Sequence, residues 1–399
     1  MNILLISTLY PEPEDYGIVN DTKAVHYFAR EWVKMGHQVV VFHPYRNPLP
    51  KILSYNKGIK SSRIEGVEVV FGQNQLLVPH NFVPYAFQQE WLANRFLRFV
   101  KYSLPGFVPD VVSVHFPLCS LIFAETILKG LSVNGQIAYV FHGSDIRLLQ
   151  KMNKEQRELV VQRLCKGSTT QLYRSYQLRK TACAFGMPKL GSEVVLSGID
   201  NALIASVEDI QSKLEYQESK NILRIVYAGR LNQQKRVDRI IKALSTISND
   251  VSFTFTIIGD GDQRASLQEL VKENGLERVV NFMGLQPREF VVSEMYKSDV
   301  FVMVSENETL GLVYLEAMAQ GCIPVGSQGE GIDGIIVDGM NGFLVNPQSE
   351  MELSSVLLKI SQMDNAGRAS LAQAAYDTAK AMTSTNMASK YLIKINSDK

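Results

Sequence analysis

The feature that most constrains this chain is an alternation of short apolar runs with longer mixed stretches, which proceeds for half the sequence, breaks, and starts again. In the first half Asn2–Ser7, Gln38–Phe42, Val67–Phe71, Val111–His115 and Ile137–Phe141 read as strands. Asp21–Met35, Pro84–Tyr102 and Leu118–Leu128 read as helices, the first with Asp21 as a cap and Gly36 as its stop. This βαβ rhythm predicts a doubly wound parallel sheet.

The rhythm breaks at Ser197-Gly198-Ile199-Asp200, after a short strand at Glu193–Leu196, and the polar stretch Asn201–Lys220 leads into the restart. Ile222–Ala228, Phe253–Ile258, Val279–Met283, Val300–Val304 and Ile323–Val325 then read as strands. Arg236–Ile247, Gln263–Asn274, Pro287–Lys297 and Leu310–Gln320 read as helices, and the tail from Glu350 to Ile395 as largely helical. With 399 residues, 46% of them hydrophobic, two domains can each bury a sizeable core. The boundaries expected are 1–200 and 201–382.

Composition excludes several partners. Lys+Arg is 41 against Asp+Glu 40, so the net charge of +1 provides no global field for nucleic acid or an acidic membrane. The four cysteines, Cys119, Cys165, Cys183 and Cys322, form no close CxxC pair, which argues against a disulfide framework or a zinc site and fits a reducing cytosol. The start MNILLISTLYPEPED reads as a first buried strand rather than a signal peptide, and no uncharged apolar stretch approaches the roughly 20 residues that span a bilayer. A cytoplasmic location is therefore expected, and the acceptor-type triplet Asn307-Glu308-Thr309 carries no weight.

The densest chemistry lies in Ser305 to Gly326, SENETLGLVYLEAMAQGCIPVG. Glu308 stands at the expected helix start and Glu316 eight residues on, about 12 Å along a helix axis. Ala317, Met318 and Ala319 pack closely and Gly321 stops the helix, so Glu316 is expected to be buried and to need a cation or a hydroxyl-rich ligand. The helix opening near Thr309 is expected to add free amides for an anion. Ala228-Gly229-Arg230-Leu231, with Lys235 just after, ends a strand at the edge where doubly wound sheets bind ligands. Arg230 and Lys235 suit a shared phosphate, although the segment alone fits a pair of solvated surface cations equally.

The run Glu308-Thr-Leu-Gly-Leu-Val-Tyr-Leu-Glu316-Ala-Met-Ala-Gln-Gly321-Cys-Ile-Pro324-Val resembles the signature of the retaining glycosyltransferases called family 4. The resemblance implies a GT-B fold: two Rossmann-like doubly wound domains facing each other across a cleft, with the last helix, from about residue 383, packed back on the N-terminal acceptor-side domain. It implies transfer of a sugar from a nucleotide-sugar co-substrate, with no cofactor and no metal. Arg230 and Lys235, with Gly229, are implied to hold the diphosphate, Glu308 the donor sugar and Glu316 the ribose. Thr309, Leu310, Gly311 and Leu312 are implied donor contacts, and Met283, in Phe282-Met283-Gly284-Leu285, lies where the base is met through main-chain groups. In Phe141-His142-Gly143-Ser144-Asp145 the resemblance makes His142 a contact of the transferred sugar; Asp145 is its neighbour in that role or a cap for the next helix. Many members have two adjacent glycines in the first loop; here Gly17 is followed by Ile18, which weakens a phosphate role for that loop.

Three further segments carry two readings each. Asp260 and Asp262 have the spacing of a metal pair, but Gly259-Asp260-Gly261-Asp262 reads better as a turn and helix cap. Arg174-Ser175, with Arg179 and Lys180, is either a basic cluster facing the cleft or a solvated helix face. Phe82–Phe107, aromatic and carrying Arg95, Arg98 and Lys101, either rests on a membrane to collect a lipid-linked acceptor or turns its aromatics into the core. Glycan, lipid-linked and small-molecule acceptors all stay open. So do two other functions: a nucleotide-sugar epimerase of the same architecture, which would need no acceptor, and a binding protein without turnover.

Overall fold

The apolar runs form strands covered on both faces, as a parallel sheet flanked by helices requires. The computed structural model describes residues 1–11, 23–44, 59–72, 85–166, 169–217 and 222–396. Two compact units emerge: Met1–Arg174 with Leu178–Leu196 and Met387–Lys399, and Ser175–Gln177 with Ser197–Asn386.

The strands of the first unit are β1 (Asn2–Ser7), β2 (Gln38–His43), β3 (Ile59–Ile64), β4 (Val67–Gly72), β5 (Val111–His115), β6 (Gln136–Phe141), β7 (Thr169–Tyr173) and β8 (Ser192–Val194). Its helices are α1 (Lys23–Lys34), α2 (Tyr85–Ser103), α3 (Pro117–Gly130), α4 (Gly143–Lys151), α5 (Lys154–Leu164) and α6 (Tyr176–Ala184), the last beginning in residues grouped with the second unit. The sheet runs β3-β4-β2-β1-β5-β6-β7-β8. All pairings are parallel except β3 with β4, an edge hairpin that the sequence did not announce because IKSSRI is too polar to read as a strand. Between β1 and β5 the order reverses, and Ile3 pairs with Val39 on one side and Val111 on the other.

The second unit has β9 (Leu223–Ala228), β10 (Phe253–Ile258), β11 (Val280–Gly284), β12 (Val300–Val302), β13 (Ile323–Ser327) and β14 (Phe343–Val345). Around them lie α7 (Val207–Gln217), α8 (Val237–Ile247), α9 (Arg264–Glu273), α10 (Arg288–Lys297), α11 (Leu312–Met318), α12 (Glu350–Gln362) and α13 (Asn365–Ala381). This sheet is parallel throughout, in the order β11-β10-β9-β12-β13-β14. Helix α8 shows why such segments pack: Val237, Ile240, Ile241, Leu244 and Ile247 fall on one face and are all buried. The Ser349 and Asp364 side chains cap α12 and α13 by accepting the amides of Glu352 and Gly367.

The closing helix α14 (Ser384–Asn396) passes into the first unit from Met387 onward. There Trp32 Nε1 donates to the Ala388 carbonyl at 3.1 Å, and Tyr391 packs against the Phe28 and Trp32 rings. Helix α2 turns Leu92, Phe96 and Val100 into the core, with the Phe96 ring stacked on Phe42 at 4.5 Å. Arg95 lies over the Trp91 ring, and Arg98 is exposed. Among the described residues no helix is long and apolar enough to cross a membrane.

Candidate functional site

In an open doubly wound sheet, the loops after the two strands flanking the reversal of strand order diverge and leave room for a ligand. In the second unit those strands are β9 and β12, paired through Ile225 with Val300 and Val226 with Phe301. Gly229, Arg230 and Lys235 follow β9, and Glu308 follows β12. Asn232 caps the single 3-10 turn Gln233–Lys235, bringing Lys235 back over the sheet edge. There its Nζ forms an ion pair with Glu308 Oε2, both side chains about one-fifth exposed (21% and 20%). Arg230 is exposed, and its carbonyl accepts from the buried Tyr227 hydroxyl at 2.9 Å.

The turn that presents Glu308 corrects one expectation. The helix begins at Leu312, not near Thr309, and has only seven residues. Asn307 (φ 60°) and Gly311 (φ 74°) bend the preceding segment through left-handed conformations, and a Cβ on Gly311 would lie 2.8 Å from the Tyr314 ring. The 12 Å axial separation of Glu308 from Glu316 therefore does not apply. The Thr309 amide does not open a helix either: it donates to Glu308's own Oε1 at 3.1 Å. Leu310 is buried, while Gly311 and Leu312 are half-buried at the helix entry.

Glu330, which the sequence reading passed over, shapes this turn. Its Oε2 accepts the Glu308 amide at 2.8 Å, and the amide of Gly331 donates back to the Glu308 carbonyl at 3.0 Å. A Cβ at Gly331 would stand 2.0 Å from the Thr309 carbonyl oxygen, so the two loops meet only because residue 331 is glycine. Burial pushes the Glu330 carboxyl up from its ordinary pKa; the amides of Asn307 and Glu308 oppose this, and the charges of Glu308 and Glu306 add to it.

Glu316 has the partner that its burial demanded. Arg288 Nη2 on α10 reaches its Oε1 at 2.5 Å, with Glu316 the more buried of the two. Burial raises the Glu316 pKa and Arg288 pulls against that shift. Sequence reasoning missed Arg288, which lies 28 residues from Glu316; the only signal was that a buried carboxyl needs a partner. Met283 sits in β11 with its side chain 37% exposed. Asp260 accepts from Arg264 Nη1 at 3.0 Å and from the Gly261 amide at 2.8 Å, the arrangement of a turn. Among the described residues no group of three or more His, Cys, Asp or Glu is placed to hold a metal ion.

In the first unit β1 and β5 flank the reversal. Gly17 and Ile18, in the loop after β1, lie outside the described residues. His115 ends β5 and His142 follows β6, with His115 Nδ1 3.0 Å from His142 Nε2. Phe116 adopts φ 53°, ψ 57°, an uncommon backbone for a bulky side chain, and this lays its ring flat on His142, centroids 3.8 Å apart. Burial first, then the charges of His115 and Arg174, hold the His142 pKa well below the ordinary histidine value. His115 is lowered likewise, by burial and then by Arg174.

Asp145 is fully buried and takes the capping alternative: Oδ2 accepts the His142 amide at 2.8 Å and Oδ1 the Leu118 amide at 3.1 Å. Burial pushes its carboxyl up to about 7 against those bonds. Arg174 is also buried, with its guanidinium over the Phe28 ring, so it is not a solvated cation; Arg179 is half-buried and bonds Ser192 Oγ and the Lys189 carbonyl, and Lys180 is exposed on the helix face.

Residues 207–378 match the family described as Glycosyl transferases group 1. The N-acetyl-alpha-D-glucosaminyl L-malate synthase of Bacillus anthracis is 27% identical over 244 residues, covering 59% of this chain and 61% of that protein. The amylovoran biosynthesis glycosyltransferase AmsK of Erwinia amylovora is 27% identical over 267 residues, 64% of this chain and 62% of its own length. The matched region thus spans less than two thirds of either relative. The solved structure of Anabaena HepE in complex with UDP superimposes with a TM-score of 0.71 over 99% of both chains, at 17% identity. At that identity the likeness is one of fold, and the fold is GT-B, built from two Rossmann-like units.

Proposed function

With residues 207–378 matching the group 1 glycosyl transferases as the premise, we propose that this chain moves a sugar from a nucleoside-diphosphate sugar to an acceptor, retaining the anomeric configuration. One observation carries the reading: Lys235 and Glu308, from the loops on either side of the strand-order reversal, meet at the sheet edge where Arg230 is exposed. A diphosphate needs cations that are already oriented, and a sugar needs hydrogen-bonding groups beside it. Arg230 supplies a planar fork and Lys235 a point charge for the phosphate oxygens, stabilising the negative charge that develops on the departing nucleoside diphosphate. These two cations do the neutralising, so the reading requires no metal. Glu308 accepts from hydroxyls of the donor sugar, Glu316 from the ribose, and His142 touches the transferred sugar.

The UDP in the HepE structure supports a nucleoside diphosphate, and the name of AmsK supports polysaccharide or glycoconjugate synthesis. The acceptor is a glycan, a lipid-linked glycan or a small molecule. The test begins with thermal shifts against UDP, UDP-glucose and a panel of other nucleotides. A ligand at about 100 times its Kd stabilises the folded state by about 2.7 kcal/mol. Turnover then follows with the nucleotide sugar that binds. Arg230→Ala is expected to cut kcat/KM by about 100-fold or more while moving the melting temperature little, because Arg230 is exposed. No stabilisation by any nucleotide, or unchanged turnover in Arg230→Ala, refutes the proposal.

A further inference from the structure

A groove of about 750 Å³ runs between α2 and the end of α3, apart from the residues placed at the site. Its lining is apolar at the base: Leu97, Leu104 and Leu131 are half-buried and pack on the core, and Phe107 is buried. Helix α2 spans the height of the sheet. Near its start Gln89 Nε2 donates to the Cys119 carbonyl, just past the carboxyl end of β5. Beyond its other end the Val108 carbonyl accepts from Asn2, at the start of β1.

The two sides of α2 differ. Leu92, Phe96 and Val100 face the core. Trp91, Arg95, Arg98 and Tyr102 recur at steps of four, three and four, so they stand on one outer stripe. Lys101 is exposed beside that stripe, and Tyr102 is 76% exposed. No carboxylate among the described residues pairs with Arg98 or Lys101, whereas Arg63 and Arg163 of the same unit each hold a glutamate. Among the described lining residues Glu90 is the one acid. The whole chain carries a net charge of only +1, so this concentration of cations is local.

Cations alone suit any polyanion, and the apolar groups beside them decide between partners. An exposed tyrosine, a half-buried tryptophan and a groove based on leucines gain free energy only where an apolar phase adjoins the negative charge. A bilayer with anionic headgroups offers that combination: ring bodies settle below the headgroups while Arg and Lys stems reach up to the phosphates. Arg95 already covers one face of the Trp91 ring, which disfavours a stacked nucleic-acid base. We propose that α2 and the groove beside it form a docking surface for an anionic phospholipid bilayer, with Arg98 and Lys101 on headgroup phosphates and Trp91 and Tyr102 at the acyl boundary. Among the described residues no helix is long and apolar enough to cross a membrane, so the contact is peripheral. Because α2 runs from one edge of the sheet to the other, lying flat turns neither edge away from the bilayer. Docking itself is independent of the function proposed above; that a lipid-linked acceptor is then the one met rests on that function.

Trp32 and Trp91 are the two tryptophans, and Trp32 is fully buried, so quenching by brominated lipid reads Trp91 alone. The full chain is mixed with vesicles of equal parts phosphatidylglycerol and phosphatidylcholine, and separately with phosphatidylcholine vesicles. The expected result is sedimentation with the anionic vesicles only, quenching of tryptophan emission by brominated acyl chains, and release at about 1 M salt, where the screening length is about 3 Å. Arg98→Gln and Lys101→Gln should each lower the partition constant about fivefold, the equivalent of about 1 kcal/mol per cation. Both positions are exposed, so melting temperature and nucleotide-induced thermal shift should barely move. Trp91→Phe should abolish the quenching and keep the sedimentation. Equal binding to both kinds of vesicle, sedimentation without quenching, or an unchanged partition constant in the double variant overturns the proposal. Binding to heparin or single-stranded RNA as tight as to anionic vesicles overturns it too, and marks a polyanion site instead. Failure of the wild type to bind vesicles, with its nucleotide thermal shift intact, removes the docking surface and spares the proposed function.

Discussion

Replacing Lys235 by methionine separates what its ion pair does for the fold from what it does for the reaction. Both side chains of the Lys235–Glu308 pair are about one-fifth exposed (21% and 20%), between the surface and the buried limits. Exposed pairs contribute up to about 1 kcal/mol, and removing one partner from a fully buried pair costs about 3–5 kcal/mol. Here Glu308 keeps the Thr309 amide as a partner at 3.1 Å, which limits the damage. The expected stability loss is therefore about 1–2 kcal/mol, roughly 2–8 °C in melting temperature for a domain of this size. The loss in transition-state stabilisation should be larger. Deleting one preorganised group facing developing charge costs about 100- to 1000-fold, or about 3–4 kcal/mol. Initial rates of nucleoside-diphosphate release, set beside a melting curve on the same preparation, measure both quantities. If kcat/KM falls less than about threefold while the melting temperature drops as stated, the pair is a structural strut and the diphosphate reading is wrong.

Three other perturbations follow from the geometry. Arg288→Met removes the cation that holds down the Glu316 pKa; UDP affinity should fall about fivefold, and further as the pH is lowered and the carboxyl protonates, and an affinity equal to wild type rules out the ribose role. Gly331→Ala forces a Cβ against the Thr309 carbonyl and should cost about 1–3 kcal/mol in denaturant unfolding, with turnover falling as the Glu308 turn shifts; a neutral variant contradicts the close approach. Asp145, pushed up to about 7 from 3.8, keeps its proton in the folded chain over a pH range where the unfolded chain has lost it, so stability should decline as pH rises from about 4 to about 7, by about 4 kcal/mol from this group, and the slope should flatten in Asp145→Asn. An identical slope in that variant contradicts the shift.

What the sequence disclosed and what it hid divide along the range of the contacts involved. The strands were legible because NILLIS and QVVVFH carry their own periodicity, and Arg230 and Lys235 were legible because a glycine turn after a strand marks a sheet edge. The true start of α11 was not, because the turn ahead of it is held by Glu330, 22 residues away from Glu308. Arg288 lies 28 residues from Glu316, and Tyr391 lies 276 from His115. No local pattern encodes such pairs; only the demand that a buried carboxyl have a partner pointed toward one of them. The edge strand β3 escaped for the opposite reason, since a strand with one open edge needs little apolar content.

The two units differ in the kind of charge they offer at their sheet edges. At the sheet edge of the second unit stand ionic groups: Lys235 with Glu308, and Arg288 with Glu316. At the corresponding edge of the first unit burial keeps His115 and His142 neutral and raises the Asp145 carboxyl. A diphosphate carries charge and is held by cations; a sugar carries none and is held by oriented donors and acceptors. A neutral imidazole such as His142 suits an uncharged sugar, whereas an imidazolium would favour an anion. Burial is the main reason that both histidines stay uncharged, and the nearby buried Arg174 adds to it. Replacing Arg174 by methionine should raise the His142 pKa, detectable in the histidine proton titration; an unmoved titration contradicts the assignment.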